Sequence, residues 1–508
     1  MSDEARQLAA ACLWPSFRGP QPPPWLLDLV DAGLGGVVLF GSNVETPDQL
    51  LALTSELRSH RRALPIALDE EGGDVTRLHM RTGAWSPGNL ALGTVDDVAV
   101  TAEVATEMAR ELRACGITTT FAPVADLLLD AGNPIVGTRS FGDDAARVSR
   151  HVAAFVSATQ RQGVAACVKH FPGHGATPMD SHREVPRVEV APDLLRSREL
   201  VAFQAAADAG VRAVMVGHLV VPAFDSVVAT LSRTIATDLL RGELGFDGLV
   251  ISDALDMAGA SQETGVAEAA VRALAAGIDA LCLGPIPDVR DIDAVLEAIV
   301  AATQDGRLSH AHLAEAALRG QTLARWLGAA PGPHPRAIDT TVGLDAARRA
   351  VRVHGKVSPC GDPVVFELHP EPTIAAGNAA WGLEDALRAL GGHPRMVVMD
   401  ASYAALDSAL GAARGHPLVV VCRDAVRHAW QRDVLARVAG ERPDLTIVEM
   451  GVPSELPLAG AVVVTSGASR VSTLAAAELL TGARAAAPEA FVPSGFAQTA
   501  GGIRERDR

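Results

Sequence analysis

Lysine is almost missing from this chain: of 44 lysine and arginine residues, only Lys169 and Lys356 are lysine. Positive charge is in deficit as a whole, since 60 acidic residues leave a formal net charge of −16. Binding to a phosphate backbone or to an anionic membrane needs clustered positive charge, so no nucleic acid and no membrane partner is expected. The six cysteines (Cys12, Cys115, Cys167, Cys282, Cys360 and Cys422) lie far apart with no C-x-x-C pair. That pattern speaks against a disulfide framework and for core thiols in a reducing compartment, so a cytoplasmic location is expected. Long apolar runs are also lacking: nowhere do about eighteen apolar residues follow one another without charge, which excludes a spanning helix. The opening MSDEARQLAAACLWPSF is acidic where a secretory signal would be basic, and Trp14-Pro15 breaks its apolar run. No signal peptide is expected.

The 508 residues are 48% hydrophobic and 20% charged, with 47 Gly and 31 Pro, the composition of a loop-rich α/β protein with a large core. The length predicts two domains. Up to about residue 327, short apolar runs alternate with amphipathic helical stretches. The runs are 35–40, 65–69, 118–124, 165–171, 213–218, 248–255 and 279–284. Seven such strands predict a (β/α)8-type barrel with an irregular or missing eighth strand, the alternative being an open doubly wound sheet. Asp69, Lys169-His170, His218 and Asp253 all fall at or just after the carboxyl ends of different strands. Only a closed barrel converges them on one face. The Pro- and Gly-rich stretch 328–340 is read as a linker. After it, strands at 363–368, 396–400, 417–425, 445–450 and 461–467 predict a smaller three-layer α/β sandwich over 341–508.

The stretch KHFPGHGATPMDSH, Lys169 to His182, leaves an apolar strand and packs a lysine, three histidines and an aspartate into one loop. A lysine kept in an arginine-biased chain points to a site that needs a compact cation. His170, His174, His182 and Asp180 have side chains that suit zinc or iron. No H-E-x-x-H accompanies them, however, and Lys169 would oppose a dication, so no metal is expected. Asp180 two residues before His182 can bond one ring nitrogen and leave the other to exchange protons.

Three further stretches carry polar groups suited to chemistry. In LDEEGGDVTRL, Asp69 ends a strand, Gly72-Gly73 allow close backbone approach by a ligand, and Arg77 lies within reach of the same ligand; an acidic turn with solvated charges is equally compatible. In NPIVGTRSFG, Arg139 stands among small and apolar residues, either in a buried ion pair or aimed at a substrate. In GLVISDALDMAGA, Asp253 is held at a strand end as a carboxylate nucleophile would be, while Asp256 is expected to cap the next helix.

Taken together, DEEGG, NPIVGTRSFG, KHFPGHG with DSH, and SDALDM resemble the motifs of family 3 glycoside hydrolases, specifically the β-N-acetylglucosaminidase branch, over about residues 30–330. The resemblance implies Asp253 as nucleophile, His182 as general acid/base and Asp180 as its partner. It implies Asp69, Arg77, Arg139, Lys169, His170 and His218 as sugar contacts, with no metal or organic cofactor. The implied activity is retaining exo-hydrolysis of terminal β-linked N-acetylglucosamine from muropeptide or chitin-type oligosaccharides. A phosphorylase with the same site, a non-catalytic sugar-binding protein and a metallohydrolase are the rival readings. Two positions depart from the family pattern. Asp74 stands where arginine is usual after EGG, which would remove a cation from the site rim, and Gly217 precedes His218 where alanine is usual.

Overall fold

A computed structural model describes residues 2–177, 185–262, 264–284, 289–330, 332, 336–457 and 460–494. Eight short parallel strands form the barrel: β1 Leu13–Pro15, β2 Val37–Leu39, β3 Ile66–Leu68, β4 Thr119–Thr120, β5 Ala165–Phe171, β6 Ala213–Val216, β7 Leu249–Ser252 and β8 Leu281–Leu283. Strands β2 to β7 pair in sequence order, and β1 pairs with β8. The ring closes where Ile251 bridges Ala280 and where the Gly36 N–H donates to the Leu13 carbonyl at 3.2 Å. The missing strand of the sequence reading is therefore β1, a three-residue strand that contains the same Trp14-Pro15 pair that interrupts the apolar run. Trp14, Val38, Ala67, Phe121, Cys167, Met215 and Ile251 fill the barrel interior. Gly36 is required beside them, because a Cβ there would sit 2.6 Å from the Trp14 ring. The strands are buried on both faces, which is why they read as continuous apolar runs without alternation.

The second sheet has β9 Arg352–Gly355, β10 Val364–Leu368, β11 Arg395–Met399, β12 Leu418–Cys422, β13 Thr446–Glu449 and β14 Ala461–Val464. Their order is β9-β14-β13-β12-β10-β11, parallel except for the antiparallel edge strand β9. Side chains alternate between two helical layers. Val364, Phe366, Val420 and Ile447 pack with Leu410, Leu435 and Val438 on one face. Val365, Val421, Val448 and Val463 pack with Leu344, Leu387 and Leu474 on the other, in the cluster that continues into the barrel's outer core.

Polar contacts tie this sheet to the barrel. Asp74, expected at the site rim, is instead turned toward the second sheet. It accepts from Thr138 Oγ1 at 2.7 Å and from the Ala468 N–H at 2.8 Å, and pairs with Arg423 at 3.2 Å. Residues 491–494 also run back over the barrel. The Phe491 N–H donates to Glu111 at 2.5 Å, and Ser494 bonds Asp48 through both its N–H and its hydroxyl. Glu111 in turn holds His79 at 3.2 Å and the Trp85 indole N–H at 2.9 Å, all buried.

Candidate active site

At the carboxyl ends of the barrel strands lies a cavity of about 410 Å³, lined by Asp69, Glu71, Arg77, Arg139, Lys169, His170, Asp253 and Asp256 among others. Its size is that of a small-molecule site. The polar groups form one connected set. Lys169 Nζ, on β5, lies 2.7 Å from Asp69 Oδ1 and 2.6 Å from Glu71 Oε1, both just past β3. Arg139, on the turn Gly137–Arg139, grips Glu71 with two parallel bonds of 2.8 and 2.7 Å. Arg77 approaches Asp69 at 3.4 Å and donates to the Ala375 carbonyl at 3.0 Å. Three cations thus surround two carboxylates.

The electrostatics follow from that count. Burial alone would raise the Asp69 pKa, but Lys169 and then Arg77 outweigh it and hold the carboxyl well below its usual range. Burial opposes ionisation of Glu71 too, yet Arg139 and Lys169 bring it down to about 2. Burial would lower Lys169, and Asp69 and Glu71 push it above its ordinary value instead. At neutral pH the site therefore holds fixed charges of both signs inside a cavity, the arrangement that stabilises charge developing on a bound sugar.

His170 is oriented from behind. Its Nδ1 meets Asp126 Oδ2 at 2.7 Å, and Asp126 also accepts the His170 N–H at 3.2 Å and the His174 N–H at 2.6 Å. The other nitrogen, Nε2, lies 3.5 Å from Arg139 Nη2. A carboxylate on Nδ1 fixes that nitrogen as the donor and leaves Nε2 as an acceptor at the cavity. His174 is buried, with both ring nitrogens lacking a partner among the described residues, and burial brings its pKa down to about 4. The ring centroids of His170 and His174 are 6.1 Å apart. The His170 ring is thus held between Asp126 on Nδ1 and Arg139 beside Nε2.

Asp253 follows β7 directly and accepts the Ala254 N–H at 2.8 Å. Asp256 accepts the Gly284 N–H at 2.8 Å, so it ties the segment after β7 to the end of β8, in place of the expected helix cap. His218, expected as a sugar contact, lies one layer back. It is fully buried, with Nδ1 2.8 Å from Thr230 Oγ1 and Nε2 2.9 Å from the Ala254 carbonyl, where it supports the residue after Asp253. Gly72 and Gly73 also have another purpose than ligand approach. Both have positive φ, and a Cβ would strike Ser86 Oγ at 2.2 Å or the Gly88 Cα at 2.6 Å. Asp180 and His182 lie outside the described residues.

Glu71, Asp126 and the segment around Ala375 were not singled out from the sequence. Glu71 was within reach of the reading: two positions past Asp69 in extended chain, it faces the same way. Asp126 and Ala375 carry no such signal.

Residues 27–323 match the sequence profile of the glycosyl hydrolase family 3 N-terminal domain. The chain belongs to glycosyl hydrolase family 3. This glycoside hydrolase is 39% identical over 278 residues to a β-hexosaminidase of Chromobacterium violaceum, covering 53% of this chain and 77% of that one. It is 33% identical over 326 residues to β-hexosaminidase A of Pseudoalteromonas piscicida, covering 58% of this chain and 54% of that one; the matched part is about half of that longer relative. In structure it is similar to a family 3 β-N-acetylglucosaminidase of Paenibacillus sp., with a TM-score of 0.85 and 28% identity over 96% of this chain and 98% of that one. No described helix of this family 3 enzyme is long and apolar enough to cross a membrane.

Proposed function

We propose that the chain is a retaining exo-β-N-acetylglucosaminidase acting on terminal β-linked N-acetylglucosamine of muropeptide or chitin-type oligosaccharides, with residues 1–327 as the catalytic domain, 328–340 as linker and 341–508 as the second domain. The observation that carries the reading is the position of Asp253 on a cavity shared with the Lys169, Asp69, Glu71 and Arg139 charge set. Similarity to a β-N-acetylglucosaminidase along nearly the whole of both chains supports the specificity.

In the first step an Asp253 carboxylate oxygen attacks the anomeric carbon while His182, oriented by Asp180, protonates the departing glycosidic oxygen. In the second, His182 takes a proton from water, which displaces Asp253 and retains the anomeric configuration. Asp69 is ionised and accepts from sugar hydroxyls; Lys169, Arg139 and Arg77 supply donors, and His170 Nε2 accepts. Donors and acceptors already fixed to one another need no reorganisation as the oxocarbenium-like charge develops. The steps need no metal or organic cofactor, and thiols that are all unpaired, five of them buried, suit a cytoplasmic enzyme.

The test is release of 4-nitrophenol from its β-N-acetylglucosaminide and its β-glucoside by wild type, Asp253→Ala and His182→Ala, with and without EDTA and phosphate. The expected result is cleavage of the N-acetyl substrate alone, unaffected by EDTA or phosphate, with activity falling by orders of magnitude in both variants. Full activity in Asp253→Ala would overturn the assignment.

A further inference from the structure

A second crevice, of about 330 Å³, lies in the C-terminal sheet and takes no part in the chemistry described above. Its position follows from topology. The chain leaves β10 for β11 on one side and then crosses to β12 on the other, so the strand order reverses between β10 and β12. Open parallel sheets bind ligands at the carboxyl ends of the strands flanking such a reversal. The residues there are His369 after β10 and Arg423, Asp424, Arg427 and His428 after β12, and they line this crevice with Trp381.

The lining has one cation that is only loosely held. Arg423 is committed: it pairs with Asp74 at 3.2 Å and lies over the Trp381 ring at 5.4 Å. Arg427 is not. Its side chain is 15% exposed, and its guanidinium meets one described partner, Asp424 Oδ2, at 3.5 Å. Five N–H donors with one long contact leave capacity for a further acceptor at the crevice. The helix Ala429–Glu441 starts at the same place, and its first residue's predecessor, His428, makes no side-chain cap bond. The positive end of that helix and Arg427 therefore lie at the same crevice. Two acids are also present. Asp424 is occupied by the Val452 N–H at 2.9 Å, and Glu371 is exposed to water, which screens it.

One segment separates this crevice from the active cavity. Thr373 and Gly377 line the crevice, while Ile374 and Ala375 line the cavity. The segment is fastened to the barrel by Arg77 on the Ala375 carbonyl and by the Ala380 N–H on the Met80 carbonyl at 2.8 Å. Ile374, 53% exposed, stands at the cavity mouth.

We propose that the crevice at the β10/β12 strand reversal is a binding site for an anionic group, a carboxylate or phosphate, held by Arg427 and the start of helix Ala429–Glu441. The anion comes either from the part of the substrate beyond the scissile bond, reaching over the 370–381 segment, or from a free small anion. The substrate arm of this inference rests on the proposed glycosidase activity; the binding arm does not.

Titration calorimetry of the full chain with inorganic phosphate and with succinate measures binding directly, in wild type, Arg427→Gln and Arg427→Lys. Binding weakened at least tenfold in Arg427→Gln, and less in Arg427→Lys, is the expected result. Thermal melts of the variants establish that they are folded. Kinetics on two β-N-acetylglucosaminides, one with a neutral aglycone and one with a carboxylate on a flexible spacer, then identify the source. A carboxylate preference in kcat/KM that falls about tenfold in Arg427→Gln means that the anion arrives on the substrate. Binding without that preference means that it is a free anion. No binding of either anion to wild type, or binding that folded Arg427→Gln retains in full, overturns the proposal. If wild type cleaves neither glycoside yet binds the anions through Arg427, the crevice stands and the glycosidase reading falls.

Discussion

Replacing Lys169 tests the charge set at its centre. Lys169 is 2% exposed and touches Asp69 and Glu71 at once, so Lys169→Met leaves the buried Glu71 and the partly exposed Asp69 sharing Arg77, at 3.4 Å, and Arg139. Removing one partner from a buried ionic set costs roughly 3–5 kcal/mol. At about 2 °C per kcal/mol for a unit of this size, Tm should fall by about 6–10 °C at pH 7. Loss of a preorganised charged donor should lower kcat/KM by about 10²–10³. Lys169→Arg keeps the charge, but a planar fork must then enter a space where Nζ already sits within hydrogen-bonding distance of both acids and Arg139 occupies Glu71. Overpacking of roughly 1–3 kcal/mol and a comparable loss of kcat/KM are expected. The pH dependence follows from the acids. Both have folded pKa values below their unfolded ones, so their contribution is full above pH ~5 and is lost as pH falls toward about 2 for Glu71. The Tm difference between wild type and Lys169→Met should accordingly shrink through that window. Calorimetric melts across pH and steady-state kinetics check both parts. A Lys169→Arg variant with wild-type Tm and wild-type kcat/KM would refute the argument that this position needs a compact cation.

Asp126→Asn should reduce kcat/KM by about 10- to 100-fold, the worth of a hydrogen bond to a charged group. The change should be accompanied by a shift in the His170 ring tautomer seen by nitrogen NMR, which a purely structural role for Asp126 would leave unmoved. Glu449 is buried in the second sheet, where desolvation first and Asp424 second raise its pKa from the ordinary 4.5 to about 7. Its contribution to stability is present below pH ~4.5 and is lost as pH rises through about 7, amounting to ~3 kcal/mol. Wild-type Tm should therefore decline between pH 5 and pH 8 more steeply than that of Glu449→Gln, and parallel slopes would count against the assignment.

How far the sequence was legible depended on whether a residue announced itself through a neighbour. Strands β2 to β8, β10 and β12 to β14 did so, because parallel strands covered on both faces are apolar runs, and the largely exposed edge strand β11 did so through its run 396–399. Strand β1 did not: three residues ending in proline show neither period nor propensity, and only pairing with β8 makes Leu13–Pro15 a strand. Strand β9, Arg352–Gly355, is exposed throughout and looks like loop. Among site residues, Asp69, Arg77, Arg139, Lys169, His170 and Asp253 sit beside glycines, prolines or strand ends, and the structure gathers them at one cavity. His218 shows the opposite risk, since a histidine at a strand end looks the same whether its ring faces substrate or a neighbouring carbonyl. Asp74 looked like a lost cation because its partners, Arg423 and Ala468, lie some 350 to 390 positions away. Ile374 and Ala375 reach the cavity only through the packing of the second sheet on the barrel, which local pattern does not encode.

The return of residues 491–494 to the barrel has a consequence for biosynthesis. Glu111 is made 380 residues before Phe491, whose N–H completes the hydrogen bonding of the Glu111, His79 and Trp85 cluster. A nascent barrel carries that acid–histidine–indole cluster uncovered until Phe491 has left the ribosome. Ending translation after the barrel strands would leave Glu111 without the Phe491 N–H and Asp48 without Ser494. The barrel is therefore sealed by a segment from beyond the second sheet, and a cut before Phe491 should be felt at the barrel surface, a long way in sequence from the cut.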